Sequence, residues 1–246
     1  MRVVQISDLH LSADESVRRY DVSPWDRLKS VLDSLQQEEQ QPQLMIVSGD
    51  VAHDHSEATY RKLLDLIEPM GVDYQVLPGN HDSPELIVSL FGKSGGPFSR
   101  EYGPWLLVGC NSHLPGSIGG ALEEDERSWI LRQLRESRCQ NKALFLHHPP
   151  VSVGNIFFDA VGLKEGTDFC AELESIEGLR LVCFGHIHRP FSVVRENVTY
   201  CAAPSTVHGY VGEEALEVAP DLFGYRIFDL GDSHFETEVR LLGVNS

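Results

Sequence analysis

The chain has 246 residues, 41% of them apolar and 23% charged, a composition of a globular protein rather than of a disordered one. Its 37 acids against 20 basic residues leave a formal charge of −17, which argues against a nucleic-acid-binding face or a polybasic membrane anchor, since both need concentrated positive charge. The five cysteines, Cys110, Cys139, Cys170, Cys183 and Cys201, are scattered and show no C-x-x-C pair, so reduced thiols in the cytoplasm are expected rather than a disulfide framework or a thiolate zinc site.

Met1-Arg2-Val3-Val4-Gln5-Ile6 reads as a strand from its second residue, with no hydrophobic signal core. No apolar run reaches the roughly 18 residues of a membrane span. Val3 to Ile6 and Leu44 to Val47 read as buried strands, and between them Ser23-Pro24 caps a helix over 24–39 with Trp25, Leu28, Val31, Leu32 and Leu35 at helical spacing. A second helix follows Ser56, with Tyr60, Leu63, Leu64 and Ile67 on one face, and stops near Pro69. Tyr74 to Leu77 is the third strand, and Ser83-Pro84 opens a short helix ending near Gly92.

Trp105 to Gly109 is strand-like, Glu123 to Leu134 is helical with Trp129, Ile130 and Leu134 inward, and Ala143 to Leu146 and Leu181 to Phe184 are short buried strands. The acidic run Glu123–Glu126 suits a helix's first turn, where the dipole favours negative charge. Beyond residue 190, Phe191 to Val194, Val198 to Ala202, Tyr225 to Phe228 and Glu236 to Leu242 read as strands joined by short turns. The order predicts α/β architecture ending in antiparallel strands, in one domain over 1–246.

Chemistry-bearing residues fall at the strand ends. Asp8-Leu9-His10 follows the first strand, Gly49-Asp50 the second, Gly79-Asn80-His81-Asp82 the third, His147-His148-Pro149 the strand ending at Leu146, and Gly185-His186-Ile187-His188 the strand ending at Phe184. Strand ends of α/β sheets converge on one crevice. Asp and His suit Mn, Fe, Zn or Ni, and Asn offers a neutral carbonyl oxygen to a hard ion. Asp-x-His and His-x-His place two side chains on one side of an extended segment. A carboxylate with two oxygens can bridge two cations, and Asp50 is placed to do so. Taken singly, each motif reads as a turn, a cap or a surface pair; the five together read as a two-cation site.

In this order the five motifs resemble the calcineurin-like metallophosphoesterase superfamily, over residues 2–190. The segments Ile6-Ser7-Asp8-Leu9-His10, Leu146-His147-His148-Pro149-Pro150, Gly185-His186-Ile187-His188 and Ala203-Pro204-Ser205-Thr206 are most similar to bacterial class III cyclic nucleotide phosphodiesterases. The resemblance implies a four-layer α/β/β/α sandwich of two facing mixed sheets. It implies one cation held by Asp8, His10, Asp50 and His188 and another held by Asp50, Asn80, His147 and His186. It also implies His81 as a catalytic histidine oriented by Asp82.

Two cations, whether Mn, Fe, Zn or an Fe/Mn mixture, lower the pKa of a shared water to roughly 7. The expected reaction is therefore in-line attack of a metal-bridging hydroxide on a small phosphodiester, with no phospho-enzyme. The resemblance favours 3′,5′-cyclic AMP or a related cyclic nucleotide; a glycerophosphodiester or another small phosphoester is the alternative. A nuclease is disfavoured by the acidic balance, and a metal-free scaffold by the presence of all seven ligands. No nucleic-acid or membrane partner is expected, and a homodimer is compatible with the resemblance. Among the remaining histidines, His148 reads as a packing or supporting residue, because its side chain points away from that of His147 in a strand end. His53 and His55 read as solvated, His113 and His208 as loop residues near a pocket wall, and His234 as surface.

Overall fold

The computed structural model describes residues 1–213 and 215–243. One mixed sheet runs, in spatial order, β13 (Phe235–Leu241), β12 (Gly224–Leu230), β1 (Arg2–Ile6), β2 (Leu44–Ser48) and β3 (Asp73–Leu77). Strands β1, β2 and β3 are parallel, with β12 and β13 antiparallel beside them. The other runs β4 (Phe98–Tyr102), β5 (Trp105–Gly109), β6 (Asn141–Phe145), β7 (Leu179–Phe184), β9 (Val198–Ala202) and β8 (Phe191–Arg195). Its four central strands are parallel and its two edges antiparallel.

Side-chain alternation along each strand builds the layers. Val4, Ile6, Met45 and Val47 pack outward under α1 (Pro24–Gln37), α2 (Glu57–Ile67) and α3 (Pro84–Phe91). Their neighbours Val3, Leu44 and Ile46 face inward and meet Leu107, Phe145 and Leu181 of the second sheet. Leu106, Val108, Leu144 and Val182 pack outward against α4 (Glu124–Glu136), α5 (Ile156–Ala160) and α6 (Gly166–Glu174). The result is the α/β/β/α sandwich that the resemblance implies.

Cap chemistry sets the helix starts. Ser23, Ser56 and Ser83 each accept a bond from the backbone N–H three residues on, worth about 1 kcal/mol apiece. Helix α1 stops at Gln37 rather than 39, because Glu38 is already extended. In α4, Ile130 and Leu134 are buried, while Trp129 is only half-buried at the edge of the cluster. The sequence reading missed β4, α5, α6 and the hairpin of β10 (Gly209–Val211) and β11 (Glu217–Ala219). Most of these are three to five residues long, too short to develop a period, although α6 does carry Phe169, Cys170 and Leu173 at helical spacing. Among the described residues, no helix is long and apolar enough to cross a membrane.

Candidate metal centre

The ends of β1, β2 and β3 in one sheet and of β6 and β7 in the other open on the same edge of the sandwich, and the loops that follow them interlock. Asp8, His10 and Leu11 donate their N–H groups to the carbonyls of Gly49, Asp50 and Val51, and Gly185 donates to that of His147. Ser205 in the loop after β9 donates its hydroxyl to the Asp8 carbonyl at 2.8 Å, which gives the Pro-Ser-Thr segment its structural role.

The Asp-x-His and His-x-His pairs do converge, but not by strand alternation. Asp8, His10, Asp50, His186 and His188 all have positive φ, between 43° and 69°. The left-handed conformation costs a non-glycine residue about 1–2 kcal/mol, and such strain clusters at functional sites. The glycines beside these residues make room. A Cβ on Gly79 would overlap the Asp50 carboxylate, and one on Gly49, itself at φ +100°, would come 2.5 Å from His147 Nδ1.

Two groups of donor atoms share Asp50. Asp8, His10, Asp50 and His188 are buried and offer ligand atoms all within 4.8 Å of one another. Within this group, His10 Nε2 lies 3.0 Å from His188 Nε2, and Asp8 Oδ1 lies 3.4 Å from His188 Nε2. Asp50 turns Oδ2 toward His10 Nε2, at 3.7 Å, and Oδ1 toward His147 Nε2, at 3.4 Å. Asn80 Oδ1 is 3.2 Å from the same His147 nitrogen, and the His186 ring centroid is 5.2 Å from that of His147. The seven expected side chains therefore meet at one place.

Backbone carbonyls fix the aim of two imidazoles. His147 Nδ1 donates to Ser48 O at 2.8 Å and His188 Nδ1 to His208 O at 3.2 Å, so each ring turns its Nε2 inward. Other polar atoms here are orphaned: His10 Nδ1 and His186 Nε2 are buried without a hydrogen-bond partner. The His10 and His188 Nε2 atoms, 3.0 Å apart, are near enough for both to reach one ion. The donor set, nitrogen and oxygen without sulfur, suits Mn, Fe or Zn.

Charge points the same way. Burial pushes the Asp8 carboxyl up, to about 7, against the pull of His147 and with Asp50 adding to the rise. Burial opposes charge on His147 too, but Asp50 and Asp8 outweigh it and raise the imidazole to about 9. His186 is pushed down to about 3 by burial and by His147. Burial also holds His10 and His188 well below the usual imidazole range. The Asp50 carboxylate, itself held below the usual range, therefore faces three neutral imidazoles and one charged one, His147, and a cation bound among them would satisfy the neutral donors.

His148 offers a ring nitrogen within 4.8 Å of those of His147 and His186, but that nitrogen is already engaged. Its Nδ1 meets the Ser112 hydroxyl at 2.8 Å and its Nε2 meets the Ile118 carbonyl at 3.1 Å, so both nitrogens are taken, in keeping with a supporting role. Asp82 departs from the expected orientation of His81. Its oxygens accept from Val51 N, Ala52 N, Gly79 N and the Tyr60 hydroxyl, and no hydrogen bond joins it to the His81 ring. It braces the loops beneath Asp50, and with four donors to satisfy it has no capacity left for His81. The His81 ring faces the cavity, and its backbone N donates to Asp50 Oδ1 at 2.8 Å.

His53 is a correction. It is half-buried on the cavity wall, with its ring 4.7 Å from that of His81, rather than solvated. His55 and His234 are exposed as expected, His113 lies outside the cavity lining, and His208 is buried within it. Sequence reasoning also missed Arg19, which lines the cavity from the loop before α1; a single arginine in a loop gives no periodic or motif signal. The cavity holds about 370 Å³, and its far wall is apolar, made by Ile118, Phe157, Phe158, Val161 and Leu216.

Comparison with known proteins agrees with this architecture. The profile of the calcineurin-like phosphoesterase family matches residues 1–190. A probable cyclic nucleotide phosphodiesterase of Synechococcus sp. is 33% identical over 230 residues, covering 90% of this chain and 89% of its own. A 3′,5′-cyclic-nucleotide phosphodiesterase of Nostoc sp. is 28% identical over 242 residues, covering 96% and 91%. Among solved structures, a dimetal phosphatase of Danio rerio superposes with a TM-score of 0.76 at 14% identity, over 97% of this chain and 95% of its own; that likeness is one of fold. The chain belongs to the calcineurin-like phosphoesterase family of metal-dependent phosphoric ester hydrolases.

Proposed function

We propose that the chain is a dinuclear-metal phosphodiesterase of small phosphodiesters, with 3′,5′-cyclic AMP or a related cyclic nucleotide as its preferred substrate. The observation that carries this reading is the Asp50 carboxylate, whose oxygens face two different donor groups, Oδ2 toward His10 and Oδ1 toward His147. In this reading Asp8, His10, Asp50 and His188 hold one ion, and Asp50, Asn80, His147 and His186 hold the other, with Mn, Fe or Zn as the metals.

Two ions bound there supply Lewis acidity, which neutralises phosphoryl oxygens and brings the pKa of a water to about 7. The chain's own residues do the rest. His81, open to the cavity and anchored through its backbone N–H on Asp50, hydrogen-bonds a phosphoryl oxygen or hands a proton to the leaving alkoxide. Asp82 and Tyr60 hold the loop that carries it.

The apolar wall supports a substrate with a flat, weakly polar part over one that is polar throughout. Phe157 is 50% exposed and Ile118 62% exposed at the rim, where an aromatic face can stack on a base; such stacking is worth about 1–3 kcal/mol. The relatives' names point to the same substrate class.

The test is a panel with manganese added: 3′,5′- and 2′,3′-cyclic AMP, glycerophosphocholine and a phosphomonoester. The expected result is the highest kcat/KM on 3′,5′-cyclic AMP. Preference for glycerophosphocholine or the monoester would overturn the substrate assignment, and inactivity on all four would overturn the enzymatic reading.

A further inference from the structure

On the His10 and His188 side of the cavity, two donors have nothing to donate to. His208 is 2% exposed, and neither ring nitrogen has a hydrogen-bond partner. Its own carbonyl accepts from His188 Nδ1, and the two rings are 4.8 Å apart, which fixes it beside the Asp8–His10–Asp50–His188 group. Arg19 lines the same cavity; its Nε is buried without a partner, and no carboxylate pairs with it among the described residues. Buried polar groups are nearly always satisfied in folded proteins, so two unsatisfied donors on one wall are a feature to explain.

The loop pays for this placement. Arg19 and Val22 exchange backbone hydrogen bonds around Tyr20 and Asp21, which take φ values of 49° and 66°. This is a tight two-residue turn that usually needs glycine or asparagine. The turn sets the Tyr20 ring 4.8 Å from that of His208 and its hydroxyl 3.5 Å from that of Tyr210, which ties the segment carrying Arg19 to the one carrying His208.

Arginine has five donors and no acceptor capacity. Its planar fork matches phosphate, and an arginine lodged without a carboxylate is free to take one. In a chain of net charge −17, Arg19 is also, among the described residues, the one arginine or lysine on the cavity lining. We propose that Arg19 and His208 form an oxyanion subsite, which takes a non-bridging phosphoryl oxygen of the substrate beside the Asp8–His10–Asp50–His188 group. The subsite rests on the phosphodiesterase reading for its substrate, but not for its chemistry, which is recognition of a phosphate oxyanion.

The experiment titrates inorganic phosphate into the manganese-loaded full chain by calorimetry, with manganese content measured in parallel. Arg19→Ala is expected to weaken phosphate binding by roughly 10- to 100-fold, as for a lost charge-assisted bond, with manganese content unchanged. Arg19→Lys should recover part of the loss, since it keeps the charge but not the fork, and His208→Ala should weaken binding by roughly 2- to 10-fold. On a hydrolysable diester, Arg19→Ala should raise KM and lower kcat together. Phosphate affinity within twofold of the parent in Arg19→Ala would overturn the subsite, and so would a loss of manganese matching the loss of phosphate. A parent protein that binds phosphate in an Arg19-dependent way yet hydrolyses no diester would refute the phosphodiesterase reading and leave the subsite standing.

Discussion

The Nε2 atoms of His10 and His188 lie 3.0 Å apart, although 178 residues separate them in the chain. His188 holds its only proton on Nδ1, toward the His208 carbonyl, so its Nε2 lone pair faces the other ring with a buried carboxylate on each side. The Asp8 and Asp50 oxygens lie 3.4 Å and 3.7 Å from these nitrogens. Lone pairs and anionic oxygens crowded together out of water repel one another, and a divalent ion between them turns that repulsion into attraction.

Asp50 touches both donor groups, whereas Asn80 touches one. Asp50→Ala should therefore deplete bound manganese at both positions and reduce hydrolysis of a chromogenic phosphodiester to background. Asn80→Ala should reduce the metal content by one ion at most. Metal analysis of the purified variants decides; an Asp50→Ala protein that keeps two ions and a near-normal rate would remove the bridging role.

His81 reaches the cavity, where a ring nitrogen approaches those of His10 and His53 within 4.8 Å, but it is not one of the seven proposed ligands. His81→Ala should retain manganese and lose about 10²–10⁴ in kcat, the range for a positioned acid–base group. Because its backbone N–H, not its ring, bonds Asp50, the substitution leaves that anchor in place. Steady-state kinetics beside metal content is the check, and a kcat within threefold of the parent would assign the ring no part in the chemistry.

Tyr60 is fully buried, and its hydroxyl donates to Asp82 Oδ1 at 2.9 Å while accepting from Ser83 N at 2.9 Å. Tyr60→Phe leaves the Ser83 N–H without its acceptor and removes one of the four donors to Asp82, and should cost about 1–3 kcal/mol of stability. It should also weaken manganese binding by less than the roughly 10- to 100-fold of a direct ligand partner, because Tyr60 reaches the ligands only through Asp82 and the loop it braces. Urea unfolding and a manganese titration report the two effects; parent-like values in both would show that the brace is dispensable.

His148 sits beside His147 and His186 but spends both nitrogens on Ser112 and Ile118. His148→Ala should keep the full manganese content while losing about 1–3 kcal/mol of stability, from a buried hydroxyl and carbonyl left unpaired. Loss of an ion in this variant would make His148 a ligand.

Much of this site was legible from local pattern. Asp8, His10, Asp50, Asn80, His147, His186 and His188 all stand within four residues of the end of a short apolar run, and β-strand ends in α/β folds point at one edge. That the five ends belong to two different sheets was not legible, because strand order depends on pairings between distant segments, such as Val3 with both Leu44 and Phe228. The backbone of the two His-containing pairs was misread for a similar reason. Extended geometry is the local expectation for Asp8-Leu9-His10, and only the hydrogen bonds from Asp8 and His10 to the loop after β2 hold it left-handed.

The residue types and their places after strands determined the chemistry by themselves: carboxylate, imidazole and amide oxygen at strand ends admit hard or borderline cations and little else. Tertiary structure alone decided which neighbour does what. Asp82 adjoins His81 in sequence yet serves Val51, Ala52, Gly79 and Tyr60, while His208 and Arg19, 189 positions apart, share a wall. A hydrogen bond is spent where its partner lies in space, and for a buried side chain that partner is supplied by other parts of the chain.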